Sequence, residues 1–251
     1  MQDTGRGTAV EAEIRKFGAL AARWWDPSGP MKPLHRMNPL RTGWIAERIG
    51  RAHGRTGRDL SGISLLDVGC GAGIASEAFA RMGARVTGLD ATGEALEAAR
   101  AHAAEAGLGI EYRDGMPEEL AASGATFDAV VALEVIEHVQ DRPAFVAALA
   151  ALAKPGGQVF LSTLNRTAKS FLLAKVGAEY VLRMLPVGTH DWRMFVTPGE
   201  LGTELRRAGL TVTEIAGMSM NPLTGSWGES RDLAVNYMVA AEKRSSPSRS
   251  S

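Results

Sequence analysis

Apolar and polar positions along the chain follow two different periods. Ile14, Phe17, Ala21 and Trp24 recur at three- and four-residue spacing, the stripe of an amphipathic helix, and the breakers Asp26-Pro27-Ser28-Gly29-Pro30 end it. Asn38-Pro39 predicts the start of a second helix, with Asn as N-cap and Pro in the first helical position, so that Arg41 falls in the first turn. From Ser64 the pattern changes to short apolar runs separated by alanine-rich stretches. Ser64–Val68, Arg85–Leu89, Gly109–Arg113, Phe127–Leu133 and Gln158–Ser162 read as strands. Ile74–Met82, Gly93–Ala106 and Arg142–Ala153 read as helices, the last stopped by Lys154-Pro155-Gly156-Gly157. Thr197 and Glu200 stand three apart, as a capping box requires, and open a helix to about Ala208. Leu210–Ile215 and Asp232–Ala241 predict two last strands joined by the polar stretch Ser219–Ser230. Strands alternating with helices predict an α/β fold: an open, mostly parallel sheet with right-handed crossovers and helices on both faces.

Composition narrows the function. The 251 residues hold 28 Lys+Arg against 28 Asp+Glu, a formal charge of zero, which argues against a protein held by nucleic acid. Apolar residues at 45% and charged residues at 22% allow a sizeable core. A lone cysteine, Cys70, makes no internal disulfide, and the cytoplasm is the expected compartment. The polar, glycine-rich Met1–Val10 is expected not to act as a secretory signal, and no apolar run approaches the ~18–20 residues of a membrane span. Residues 1–10 and 243–251 read as disordered tails. Between them, 11–242 read as one domain: N-terminal helices over 11–60, a ligand-binding core over 61–163, an insertion over 164–196 and the last strands over 197–242.

The chemistry centres on Asp67-Val68-Gly69-Cys70-Gly71-Ala72-Gly73, which follows the first predicted strand and opens a helix. Glycines there let backbone N–H groups approach a ligand that any Cβ would hold away. The third glycine comes one residue earlier than in the dinucleotide pattern G-x-G-x-x-G, which disfavours a nicotinamide cofactor. Asp90 ends the second strand, where a carboxylate can accept two hydrogen bonds from a ribose diol. The implied ligand pairs a ribose with a compact group in place of a pyrophosphate, and S-adenosylmethionine fits. Asp67 beside the loop suits that ligand's cationic amino-acid end. Cys70 reads as a small buried hydrophobe and not as a nucleophile.

LLDVGCGAG (65–73), VTGLD (86–90) and LAKPGG (152–157) resemble the class I S-adenosylmethionine-dependent methyltransferases. RWWD (23–26), KPLHRMNPLR (32–41), LEVIEHV (133–139), STLNRTAKS (162–170), VGAEYVLRMLPVGTHDW (176–192) and VNYM (235–238) are similar to one family among them, the O-methyltransferases of ubiquinone biosynthesis. The resemblance runs from about Glu13 to Lys243. It implies a Rossmann-like, seven-stranded, mostly parallel sheet with one antiparallel strand and an N-terminal helical lid. The activity it implies is O-methylation of polyprenylated phenols at two steps, a polyprenyl catechol and a demethylubiquinol. It carries cofactor contacts onto Arg41, Gly69, Asp90 and Leu133, and Asp67 and Gly71 join them from the loop. A guanidinium fork at Arg41 suits the methionine carboxylate; outside this motif the same arginine reads as an exposed helical residue.

A phenolic oxygen needs a base or a cation to become a good nucleophile at neutral pH. His138, at the expected ligand edge of the sheet, is one candidate base. Glu134, Glu137 and His138, at i, i+3 and i+4, are alternatively ligands on one helical face for a divalent cation such as Mg2+ that grips both catechol oxygens. Capping of the strand-to-helix junction explains the same residues without chemistry. His190-Asp191 is a second polar pair able to close over a substrate, or a plain surface loop. In Arg166–Pro186, Phe171, Leu172, Leu173, Val176, Tyr180, Leu182, Met184 and Leu185 alternate with Lys169, Lys175 and Arg183, the pattern of a basic-rimmed amphipathic helix. Such a helix rests on anionic lipid at the inner leaflet, or covers the active site or a dimer face. Trp24 and Trp25, with Lys32–Arg36, read as core or as a lid beside it. The expected partners are the polyprenylated substrate, anionic lipid and other quinone-biosynthesis enzymes. Competing readings are a methyltransferase of another phenolic or lipid acceptor, and an idle methyltransferase-fold scaffold.

Overall fold

In a computed structural model, which describes residues 23–29, 31–171, 192–221 and 223–245, the five apolar runs lie side by side as parallel strands. They are β1 (Ser64–Val68), β2 (Arg85–Asp90), β3 (Glu111–Asp114), β4 (Phe127–Leu133) and β5 (Ala153–Leu164). β6 (Leu210–Met220), β7 (Trp227–Ser230) and β8 (Asn236–Lys243) complete an eight-stranded sheet in the order β3-β2-β1-β4-β5-β8-β6-β7. β8 runs antiparallel to β5, β6 to β8, and β7 to β6. The sheet therefore has one strand more than the seven expected. β7, read as part of a polar connection, is an edge strand held by four backbone pairs to β6 and shows no apolar alternation of its own.

The central strands read as unbroken apolar runs because both of their faces are covered. Against one face pack Trp44, Ile45 and Ile49 of α1 (Lys32–Ala52) and Phe79 of α2 (Ile74–Arg81). α3 (Gly93–Glu105) adds Leu96, Ala99 and Ala103 beside Tyr112 of β3. The other face takes Leu120 of α4 (Pro117–Ala122), Phe145, Val146 and Leu149 of α5 (Arg142–Leu152), and Leu201 and Leu205 of α6 (Pro198–Arg207). Far from the ligand edge, Lys154 Nζ reaches Asp128 Oδ1 at 2.7 Å and Ser64 Oγ donates to Asp128 Oδ2 at 2.5 Å, pinning β1, β4 and β5 together.

Two expectations for the N-terminal part need correction. The second helix starts at Lys32, with Pro33 in its first turn, so Arg41 sits in its third turn. Pro39 lies inside the helix and leaves the His35 carbonyl without its intrahelical donor. Asn38 does not cap. It is buried and donates from Nδ2 to the Ile74 carbonyl at 3.0 Å, stitching α1 to the start of α2. Of the first predicted helical stripe only Trp24 falls among the described residues. No helix among the described residues is long and apolar enough to cross a membrane.

Candidate active site

The C-terminal ends of the parallel strands bring together residues far apart in sequence. β1 leads straight into the glycine loop, whose backbone is held from below: Gly69 N–H donates to the Leu89 carbonyl at 2.7 Å and Gly71 N–H to Asp90 Oδ2 at 2.7 Å. The other Asp90 oxygen accepts from Thr92 N–H at 2.8 Å. Both oxygens are thereby oriented while keeping lone pairs for a further donor. Burial raises the Asp90 carboxyl above the usual carboxylate range, and the loop N–H groups oppose that rise. Gly69 has φ +69°, and a Cβ there would stand 2.4 Å from Val135 Cγ2, so a glycine is required for close approach to the β4 corner.

Asp67 is buried at the end of β1 and accepts from Ser76 Oγ of α2 at 2.6 Å. Burial pushes its carboxyl up to about 6, against the pull of Arg41. Arg41 is itself only 4% exposed, and its Nη1 lies 3.7 Å from Glu134 Oε1. Burial lowers its affinity for a proton, while Glu134, Asp67 and Glu137 hold the charge in place. The Arg41 Nε, fully buried, has no hydrogen-bond partner. A buried guanidinium short of acceptors, beside a glycine loop, suits an anionic group of a ligand.

The corner after β4 departs from the helical face expected for Glu134, Glu137 and His138. Glu134 has φ +56°, a left-handed backbone for a non-glycine residue, and only Ile136–His138 form a single 3-10 turn. The bend is held by Glu134 N–H donating to the Ser162 carbonyl at 3.0 Å, while Ser162 Oγ donates to Glu134 Oε1 at 2.6 Å. Glu137 turns inward, where Thr163 Oγ1 donates to its Oε2 at 2.8 Å. Burial, reinforced by Glu134, raises the Glu137 carboxyl to about 7, with His138 opposing. The two carboxylates are thus committed to hydroxyls of β5. Among the described residues no group of three His, Cys, Asp or Glu is arranged to hold a metal ion. Leu133 closes β4 half-buried against the core, and His138 stands half-buried at the same corner. His190, Asp191 and residues 172–186 of the amphipathic stretch lie outside the described residues.

Sequence reasoning missed Val135, Ser162 and Thr163. The two hydroxyls fall inside the STLN block and Val135 inside the LEVIEHV block, which marked the segments without assigning these residues a task; the contact of Val135 with Gly69 exists only in the folded chain.

The glycine loop, the carboxylate that ends β2 and the strand order together define a class I S-adenosylmethionine-dependent methyltransferase. Residues 41–215 match the family described as a methyltransferase domain. The chain is 51% identical over 246 residues to the ubiquinone biosynthesis O-methyltransferase of Methylobacterium nodulans, covering 97% of this chain and 99% of that one. With the Bordetella pertussis protein of the same name it shares 50% over 244 residues, covering 96% and 98%. The chain belongs to the ubiquinone biosynthesis O-methyltransferase family. Among solved structures, magnesium protoporphyrin IX methyltransferase from Synechocystis PCC 6803 with bound SAM superposes with a TM-score of 0.62 at 18% identity, covering 94% of this chain and 98% of that one, a likeness of fold alone.

Proposed function

We propose that this chain methylates phenolic oxygens of polyprenylated rings, a polyprenyl catechol and a demethylubiquinol, with S-adenosylmethionine as donor. Arg41 carries the reading: a sealed guanidinium with an unsatisfied Nε, set by Asp67 at the head of the glycine loop, matches the carboxylate end of a ligand whose ribose would lie on Asp90. When bound, the donor supplies a methyl already activated on a sulfonium, so the protein's share is positioning and proton handling. Asp90 grips the sugar hydroxyls with its free lone pairs, Arg41 takes the carboxylate, and Leu133 offers an apolar wall. An ordinary phenol with a pKa of about 10 is protonated at neutral pH. His138 accepts that proton as the oxygen–carbon bond forms and the carbon–sulfur bond breaks, and returns it to water after the methyl ether and S-adenosylhomocysteine separate.

His138→Ala is expected to lower kcat by about 10²- to 10⁴-fold and to remove the acidic limb of the pH profile. Unchanged turnover on that limb contradicts the base assignment. Turnover lost on chelation and restored by Mg2+ would put a cation in place of the His138 base.

A prenylated acceptor lives in the bilayer, and the basic-rimmed stretch Arg166–Pro186 supports a peripheral seat for a cytoplasmic protein on the inner membrane face, where other quinone-biosynthesis enzymes would meet it. At the foot of that stretch Phe171 is 45% exposed, edge-on to Trp192 with ring centroids 5.8 Å apart.

A further inference from the structure

Asn236 opens β8, and nothing in the chemistry above uses it. β8 runs antiparallel to β5 with Asn236 opposite Leu164, so the residue stands at the ligand edge of the sheet. Its backbone place is fixed: Asn165 N–H donates to the Val235 carbonyl at 2.8 Å, and the pairing with β5 continues through Tyr237 and Met238. Residues paired across neighbouring strands point to one face. Asn236 and Leu164 therefore share the face of Ser162 and Met238, the face that α1 covers.

On that face the amide is sealed and poorly satisfied. Asn236 is 5% exposed, its Nδ2 reaches Met37 Sδ, a weak acceptor, at 4.0 Å, and its buried Oδ1 has no hydrogen-bond partner. Leu164 opposite, Met238 two residues on and Met37 across from it are apolar. They offer the oxygen no donor, and they do not supply the roughly two to four polar partners that hold a buried water. An unpaired buried amide costs stability, so its presence asks for a donor that arrives from outside the chain.

The surroundings say which donor. Met37 lies one helical turn before Arg41 on α1, so the amide sits a turn away from the guanidinium that takes the carboxylate of the methyl donor. Leu133 of β4 pairs with Ser162 of β5, and Ser162 with Met238 of β8, which sets β8 two strand spacings, about 10 Å, from the Leu133 wall. An aromatic ring laid across the end of β5 would have the methyl donor on its Leu133 side and Asn236 on the other.

We infer that Asn236 orients the acceptor: its Oδ1 accepts a hydrogen bond from the phenolic hydroxyl next to the one that is methylated. A ring with two neighbouring hydroxyls satisfies the orphaned oxygen, whereas a ring with one leaves it buried and unpaired. The site therefore selects vicinal diphenols over simple phenols. This role rests on the reading that the chain methylates a phenolic ring.

A polyprenyl catechol and the same ring with the neighbouring hydroxyl replaced by hydrogen are compared by kcat/KM, in wild type and in Asn236→Leu, which keeps the side-chain size without polar atoms. The preference for the catechol is expected to fall about tenfold in the variant, the worth of a hydrogen bond whose loss leaves a buried partner unpaired. Taking the ratio of the two substrates cancels the effect of the second hydroxyl on the reactivity of the first. S-adenosylhomocysteine affinity by calorimetry is expected to stay unchanged, and the Tm to rise by about 2–4 °C because an unpaired amide is gone. An unchanged preference with a lower Tm would overturn the inference and make Asn236 a plain structural amide. A loss of S-adenosylhomocysteine affinity as large as the loss in kcat/KM would place Asn236 on the donor and overturn it too. Should Asn236→Leu fail to fold, Asn236→Ala decides on the same ratio. A wild-type chain that methylates neither ring overturns the phenol-methylating reading and the role of Asn236 with it; methylation with an unaltered ratio overturns the role of Asn236 alone.

Discussion

Asp90 and Glu134 are the residues whose individual chemistry can be isolated most cleanly. Asp90 owes its orientation to two backbone N–H groups, and Asp90→Ala is expected to weaken S-adenosylhomocysteine by about 10- to 100-fold, the worth of hydrogen bonds to a charged group. Glu134 sits in a left-handed conformation that costs any side chain. Urea denaturation of Glu134→Gly and Glu134→Ala, which both lack the carboxylate, is expected to rank glycine the more stable by about 1 kcal/mol, the reverse of the usual order. Equal stability would mean that the bend relaxes. Of these residues, Asp90 was legible from its place at the end of a strand. Glu134 was legible as a carboxylate near the site, and its strain was not, because the φ is imposed by the pairing of β4 with Ser162 of β5.

At the scale of elements, the buried corner after β4 ties stability to pH. Glu137 has its folded pKa raised to about 7 from an ordinary 4.5, so its contribution to stability is fully present below the unfolded value and is lost as pH rises through 7. Glu137→Gln, which can still accept from Thr163, is therefore expected to gain stability over wild type between pH 4.5 and 7 and to hold the gain above it. A gap that does not change over that window would contradict the buried, strained ionisation. On the other face, the capping box of Thr197 and Glu200 formed as its spacing predicts, and Thr197→Ala is expected to cost about 1 kcal/mol in chemical denaturation. β1 and β4 were readable as unbroken apolar runs because both of their faces are covered, and α3 from the stripe that its one buried face writes into the sequence. Three features were not. The start of α1 at Lys32 has no side-chain cap, α4 is six residues long and too short to show a stripe, and β7 is an edge whose pairing is made by backbone alone.

For the whole molecule, the sheet places the glycine loop, Asp90, the Glu134 corner and the foot of the Arg166–Pro186 stretch along one edge. That arrangement suits the proposed reaction, in which the donor comes from water and the acceptor from a bilayer. Leu172→Glu/Leu173→Glu is expected to abolish flotation with anionic liposomes while leaving S-adenosylhomocysteine affinity unchanged; equal flotation removes the membrane contact. Alternation of strands and helices was enough to read the parallel core, while the antiparallel order of β8, β6 and β7 depends on long-range pairing that no local pattern encodes. The central claim is methyl transfer to a phenolic oxygen, and incubation of the purified chain with S-adenosylmethionine labelled in its methyl group and a polyprenyl catechol tests it most directly. Label recovered in an aryl methyl ether, and lost with Asp90→Ala, is the predicted result; bound donor with no label in the acceptor would contradict it.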